Sequence, residues 1–585
     1  MPTRDVRARL CFISLLVLPL LVGCPARTPV SKTTARAELD DPLATVRDTL
    51  RRDRDLETCK SAIAQLNNYL GRAQRKLPEL TESERELLTI EAHLSPEELK
   101  EVAADEFTEL DAAYLDERYL LLDALRSLNL DWSDEGRAER ARLGLACAMR
   151  QVWVEDSPLR APPNAVLRRG WGTEAQRAGL VLSIFEAAGL DGCLLAYKPD
   201  GGTPRFWAVG VLIGNDILLF DPKAGRPIAG ADSKSVATLK QVRTTPELLK
   251  PLIADIKPAL DAKLVAEQSK VYVSPPLSAL APRMRLLQEE LKHIPPLVLS
   301  VNALELLARF KKAGEPAEFW NPPLTGRPEE LGTPLRALIY FMPHAAGLGG
   351  LDRSNMLPLY VRSLVPFDRL PPVLSERMMP SNAIEIANKV RNQFQLRFID
   401  FFTGRGRARD LVLRGQFDEA IQTLVDQQTQ ITRTLEHLAS AGDVDADVVQ
   451  WARDLNAITS EINRMHREVQ RKERSPEDPD LFEAQSRLAA LEKQSSKAMI
   501  MVERAAGEPM MVVTTYQLAL CKHEQAEIQS RRVNDPAVVR EAWQSAAGWW
   551  GTFLSKYAAK PGVSPAQVTH VKGLLEIAAK NAASN

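Results

Sequence analysis

Histidine, glycine, aromatic residues and long apolar runs are all scarce in this 585-residue chain. Each shortage closes off a class of protein. Beyond the N-terminus no stretch reaches the roughly 18–20 apolar residues of a membrane-crossing helix, so no later span is expected. Glycine, at 30 residues, is too sparse for collagen-like or glycine-rich repeats. An aromatic content of 6% argues against an all-β sandwich rich in Tyr and Trp. Charge of one sign is also missing: 75 Lys and Arg meet 76 Asp and Glu, a net of −1. Such a chain has no global field to gather nucleic acid, which excludes a general DNA- or RNA-coating role. The six cysteines form no Cys-x-x-Cys pair, and the 7 histidines do not join them at zinc-ligand spacing. A Walker A loop, a Gly-x-Ser-x-Gly elbow and His-Glu-x-x-His are absent. Gly347-Leu348-Gly349-Gly350 is apolar and lacks the strand–turn–helix setting of a dinucleotide site. No metal and no small-molecule cofactor are expected.

What is present is enough apolar material, 45%, to build real cores. The length predicts about three or four folded units. Proline is plentiful at 39 residues. With little glycine beside it, this composition describes helices punctuated by prolines. The expected fold is mainly α with a small α+β module.

The N-terminus carries an address. Arg4, Arg7 and Arg9 outweigh Asp5, residues 10–22 are apolar, and the run ends in Leu21-Val22-Gly23-Cys24. A basic start, a short apolar centre and a small residue before the cut describe a secretory signal. The tetrapeptide resembles the lipobox of bacterial lipoproteins. That resemblance implies cleavage before Cys24, lipid on its sulfur, acylation of the new N-terminus, and a membrane partner on the extracytoplasmic side of a bacterial envelope. Several acyl chains, at about 0.8 kcal/mol per buried CH₂, make a durable anchor. Residues 1–23 are then signal and 24–40, rich in Thr, Ala, Arg and Pro, a tether. The remaining 562 residues carry 72 basic and 75 acidic groups, a net of −3. Cys59, Cys147, Cys193 and Cys521 are scattered, several of them among apolar neighbours, and read as buried free thiols, although an exported compartment permits disulfides.

Residues 41–134 read as helices, with Leu56, Ile63, Leu66 and Leu70 at helical spacing. Ser95-Pro96-Glu97-Glu98 has the cap, N1 proline and N3 acid of a helix start. Residues 135–225 change character. A helix carrying Leu143, Ala146 and Met149 is expected to run on through Val152-Trp153-Val154. Thr173 and Gln176 predict a capping box for a helix to about Ala188, stopped by Gly189. Strands are predicted over 193–197, 206–212 and 217–220, with a hairpin turn at 214–216. Residues 226–330 mix helices with short strands such as 271–273 and 297–299. Residues 331–585 read as helical. They include a hairpin turning at Gly415, which resembles half of a tetratricopeptide repeat, though no regular period of about 34 residues follows it. Long helices are predicted over 445–503 and 507–531, an exposed linker over 472–481, and a last pair over 535–558 and 564–582. The basic run from Arg405 to Arg409 reads as a solvated face.

Within 135–225, Gly172, Ala178, the apolar run 180–188, Gly189-Leu190, the strand 206–211 and Asp221-Pro222 follow one pattern. It resembles the transglutaminase-like superfamily, whose core is papain-like. There a Gly-x-Cys opens a helix, a His lies on a later strand, and an Asp-Pro ends another. The Arg-Gly-x-Gly-Thr turn at 169–173 is closer still to a set of bacterial lipoproteins with such a domain. The resemblance implies an α+β core embedded in a helical body. It also locates the departures: the nucleophile position falls on Glu174, the His on Phe206, and only the acid survives, as Asp221. No histidine lies between His93 and His293 to replace the lost base. A thiolate is what such chemistry needs, and a carboxylate is a poor acyl nucleophile.

Three functional readings result. The favoured one is a lipid-anchored, non-catalytic scaffold that binds a protein or peptide, with Trp171, Thr173 and Trp207 lining a groove left from the ancestral cleft. The second is an envelope hydrolase or transferase using Glu174 and Asp221 as a carboxylate pair, about 5–10 Å apart. The third is a thiol-dependent enzyme using Cys147 or Cys193 with a distant His293 or His344.

Overall fold

The computed structural model describes residues 46, 50, 56–73, 76–155, 162–198, 204–232, 235–253, 261–291, 297–320, 408–439, 481–560 and 563–584, with short pieces between 461 and 469. Cys24, His293, His344, residues 347–350, Arg405, Arg407 and all but the last residue of the predicted 472–481 linker lie outside these. The chain is mainly helical, 67% of described residues, with a small sheet part.

Among the described residues these helices lead to the centre of the fold: α1 (Leu56–Ala73), α2 (Glu82–Ile90), α3 (Pro96–Val102), α4 (Glu109–Ser127), α5 (Arg137–Gln151), α6 (Pro163–Arg169) and α7 (Glu174–Ala187). Thr81, Ser95 and Thr173 open α2, α3 and α7 with complete capping boxes, closed by Glu84, Glu98 and Gln176. Each box satisfies backbone N–H groups that the helix leaves open at its start. α4 is buried on nearly every side, and several of the charges this encloses are paired. Asp111 accepts from Arg283 at 2.5 and 3.1 Å. Asp116 accepts from Arg168 at 2.8 and 3.0 Å. Arg118 bonds Glu186 and the Ser183 carbonyl.

The sheet has strands β3 (Asp191–Tyr197), β4 (Arg205–Ile213), β5 (Asp216–Asp221), β6 (Arg226–Pro227), β7 (Lys270–Val273) and β8 (Ala317–Phe319), after a separate parallel pair, β1 (Trp153–Val154) and β2 (Trp171–Gly172). Its order is β6-β5-β4-β3-β7-β8, antiparallel except between β7 and β8. Ile213 pairs with Asp216, so Gly214-Asn215 is the whole β4–β5 loop. Gly214 has φ 62°, the positive value that the first central position of a type II′ turn demands. On the β3 side of β4, Leu195 pairs with Ala208 but Ala196 pairs with Phe206. Trp207 is therefore the extra residue of a bulge. The bulge turns Trp207 and Ala208 to one face of the sheet and Phe206 and Val209 to the other.

Those faces carry two cores. On one, Leu194, Ala196, Val209, Val211 and Phe220 pack beneath Val181, Ile184 and Phe185 of α7, with α5 and α6 alongside. On the other, Cys193, Leu195, Trp207, Leu212 and Leu219 meet Leu239 and Val242 of α8 (Leu239–Thr244), Val265 of α9 (Ala262–Gln268), and, beyond α10 (Pro282–Glu290), Phe310 of α11 (Ala303–Lys312). Gly210 is required where the strands press closest: a Cβ there would stand 2.6 Å from Ile217 Cγ2 and 2.7 Å from Leu195 Cδ2.

The C-terminal region supplies a helical turn at 408–413, then α12 (Phe417–Ala439), α13 (Leu481–Arg532), α14 (Pro536–Tyr557) and α15 (Pro565–Ser584). Gly415, at φ 74°, makes the turn before α12. Trp543, Trp550, Phe553, Val571 and Leu574 form an apolar cluster that also takes in Trp153 and Trp171.

Three sequence expectations are corrected. Val152-Trp153-Val154 does not continue α5; Val152 is extended and the next two residues, well suited to a strand, pair with β2. Residues 297–299 carry no ladder pairing among the described residues. The strand expected over 271–273 is β7, which with β8 completes the sheet. α13 passes through Gly507 and Pro509 without a break, held by its buried stretch at 512–521 between α12 and α14.

Candidate functional site

The Glu174 end of α7 sets the site. Thr173 caps the helix: its hydroxyl accepts from Gln176 N at 3.2 Å, and its own N–H donates to Gln176 Oε1 at 3.0 Å. That cap occupies Thr173, so it is a structural residue of the helix start. Glu174 follows as the first helical residue, half-buried. Burial raises its carboxyl above the ordinary range; Lys223, Arg205 and Arg177 oppose this, and the negative charge of Asp221 adds to it.

Asp221 ends β5 and is buried. Its Oδ1 accepts from the N–H groups of Lys223 at 2.8 Å and Ala224 at 3.0 Å, and Gly225 N closes the turn on the Asp221 carbonyl at 2.9 Å. This is the Asx-type turn that Asp-Pro at a strand end foreshadows. Desolvation raises the Asp221 carboxyl, while these two N–H groups, Arg226 and Arg177 act against it. The Asp221 charge thus bears on Glu174, while one carboxylate oxygen of Asp221 is committed to backbone.

Phe206 lies near the start of β4, beside Arg205, whose charge also reaches Glu174. Its ring meets Trp320 edge-on at 6.4 Å, and Trp320 meets Tyr272 at 5.3 Å. Phe206 thus occupies an aromatic packing position.

The expected groove does not form from its three residues. Trp171 is buried in the cluster with Tyr516, Trp550 and Phe553, so the C-terminal helices cover it. Trp207 faces the opposite side of the sheet because of the β4 bulge, and its indole N–H donates to Ser269 Oγ at 2.8 Å.

Cys59, Cys147, Cys193 and Cys521 are buried free thiols. Burial pushes Cys147 and Cys521 up to about 12, and Cys193 higher. None of the three is a poised nucleophile. Among the described residues no group of His, Cys, Asp and Glu is arranged to hold a metal ion, and no helix is long and apolar enough to cross a membrane.

No family model, no curated protein and no solved structure matches this chain.

The seam between the α7 module and the C-terminal helices holds polar residues that sequence reading missed. Arg150, near the end of α5, forms a two-pronged pair with Glu524 of α13 at 3.0 and 2.9 Å, and Gln151 donates to the same carboxylate at 2.9 Å. Arg409, expected on a solvated face, is buried and donates to Gln151 Oε1 at 2.7 Å and the Leu167 carbonyl at 2.7 Å. His523 accepts from the Trp550 indole N–H at 3.1 Å. Glu155 receives the Ser564 hydroxyl at the start of α15. Arg150 and Glu524 stand 374 residues apart, so no local pattern could join them.

Proposed function

We propose that this chain is a lipid-anchored bacterial envelope protein, attached through Cys24, in which a transglutaminase-like core has become a non-catalytic scaffold for a protein partner. The observation that carries the loss of chemistry is at α7. The helix start offers Glu174 where a thiol would be needed, and the module's two cysteines, Cys147 and Cys193, are buried with raised thiols. The covered Trp171 removes the ancestral cleft as the docking place, so partner binding falls to other surfaces. Two assays test this. Metabolic labelling with palmitate is expected to mark the wild-type chain and not Cys24→Ser, which moves to the soluble fraction; labelling of both variants, or of neither, refutes the anchor. Amine incorporation into, and hydrolysis of, glutamine-containing peptides is expected to be the same with and without the protein; turnover abolished by Glu174→Gln refutes the non-catalytic reading.

One observation keeps the second reading alive. The negative charge of Asp221 adds to the charging cost of Glu174 in a partly buried setting, as a neighbouring carboxylate in an acid–base site does. That alternative is a hydrolase or transferase with Glu174 as the more exposed, proton-exchanging partner. Turnover lost in both Glu174→Gln and Asp221→Asn would establish it.

A further inference from the structure

α13 is 52 residues long. Its buried stretch at 512–521 lies between α12 and α14, and a second packing sits near its N-terminal end. There Ala484 and Leu488 are buried with Met465 and Val469 in a cluster of their own, and Leu491 packs against its edge. The described residues between 461 and 469 are helical, so one helix lies on another. Eleven residues, 470–480, join the two, a short connection of the kind antiparallel neighbours use. Arg487 pairs with Glu461 across them at 3.5 Å. The sequence carries the same pattern past these contacts. Backwards from Val469, alternating steps of four and three meet Met465, Ile462, Ile458, Leu455 and Trp451. Forwards from Ala484, such steps meet Leu488, Leu491, Ser495, Ala498 and Val502. A repeat averaging 3.5 residues is the seam of a two-helix coiled coil. Residues 451–460 lie outside the described residues.

We propose that residues 451–462 of this same chain dock antiparallel along the apolar stripe of α13 from Ala484 to Ser495, closing the two into a coiled-coil arm. The occupant is argued from continuity with the cluster already packed and from the ion pair, which sets the register. Side chains lean towards the N-terminus of their own helix. Two helices running in opposite directions therefore bring Glu461 and Arg487 together when Glu461 stands level with a point about two residues before Arg487. Ile462 is then level with Ala484, Ile458 with Leu488, Leu455 with Leu491, and Trp451 with Ser495. The largest side chain of one stripe thus meets the small polar residue that interrupts the other. Glu461 and Arg487 each precede an apolar seam position, where flanking charges choose partner and orientation. The stripe is filled from within the chain and is closed to an outside helix.

Paired cysteines in the intact chain test this, each pair read against the parent chain that lacks it. Leu455→Cys with Leu491→Cys is expected to close a disulfide within one chain on mild oxidation, seen as a faster band on a non-reducing gel. Leu455→Cys with Ala498→Cys lies one heptad further along the same stripe, about 10 Å away, and is expected to stay open because a disulfide cannot bridge that distance. The native thiols described here are buried and free, so they do not compete. Should the first pair fail to fold, Trp451→Cys with Ser495→Cys takes its place, with Trp451→Cys and Val502→Cys as the mismatched control. A disulfide between two chains makes a second copy the occupant and overturns the proposal. So does a matched pair that stays open, or a mismatched pair that closes as readily.

Discussion

Removing the Glu524 carboxylate should unlatch the C-terminal helices from the module. The residue is buried among α13, α5 and the 408–413 turn, with its side chain 3% exposed against 8% for Arg150. At the observed 2.9 Å and an effective dielectric of about 20, the bare attraction is about 6 kcal/mol, most of it offset by the cost of drying both ions. Glu524→Ala removes the attraction and keeps the drying cost, since Arg150 stays buried. The expected loss is about 3–5 kcal/mol, plus about 1 kcal/mol for the orphaned Gln151 amide. For a unit of 150–250 residues that total corresponds to a fall of roughly 8–24 °C in melting temperature. Replacing both partners, Arg150→Met with Glu524→Leu, leaves no buried charge and should return stability to within about 2 kcal/mol of wild type. The assay is urea unfolding followed by tryptophan fluorescence, because Trp153, Trp171, Trp543 and Trp550 share the cluster beside the pair. A single mutant that costs under about 1 kcal/mol, or a double mutant no better than the single, would refute the buried latch.

Acid should loosen the same seam. Burial, with Arg150 beside it, holds His523 down at about 3 against an ordinary 6.5, so the unfolded chain takes up a proton that the folded one refuses. Its contribution is complete above pH 6.5 and is lost as pH falls from there towards 3, at about 1.4 kcal/mol per pH unit. Glu524 acts in the same direction. Burial alone would raise it, but Arg150 pulls it below 4.5, so its stabilisation also fades as pH drops. His523→Gln should flatten the stability profile between pH 6.5 and 4.5; an unchanged slope would show that His523 is already solvated. The four described thiols should resist iodoacetamide in the folded protein and label together on unfolding; stoichiometric labelling of one in the native state would contradict their burial. Gly210→Ala drives a methyl into Ile217 and Leu195 and should cost about 1–3 kcal/mol, read as a lower urea midpoint.

The sheet strands were legible because β-branched and aromatic runs, the Gly214-Asn215 turn and a capping box lie close together in the sequence. Thr173 with Gln176, Gly214 and Gly415 each sit at the turn or cap their residue type implies. The division of the sheet between two segments was not legible, because β7 and β8 are short and their partners are distant. Trp207 was misassigned to a groove because strict alternation ignores a bulge, and one extra residue reverses which face a side chain meets. Trp153 was read as helical because its apolar neighbours fit either period. Glu174 and Asp221 were found as positions in a pattern. Arg177 and Arg150 were passed over, and Arg409 was read as solvated, because a buried arginine has the same one-letter signature as a solvated one.

The order in which the chain emerges gives the seam a history. β1 and β2 are complete by residue 172, yet the helices that cover Trp153 and Trp171 end near His570 and beyond. At about 5–20 residues per second, synthesis leaves those two indoles bare for roughly 20–80 s. During that interval the young module presents an apolar face with no cover of its own, a surface on which a holding chaperone can sit. The same interval makes any truncation before α14 a producer of permanently sticky protein rather than of a smaller working one.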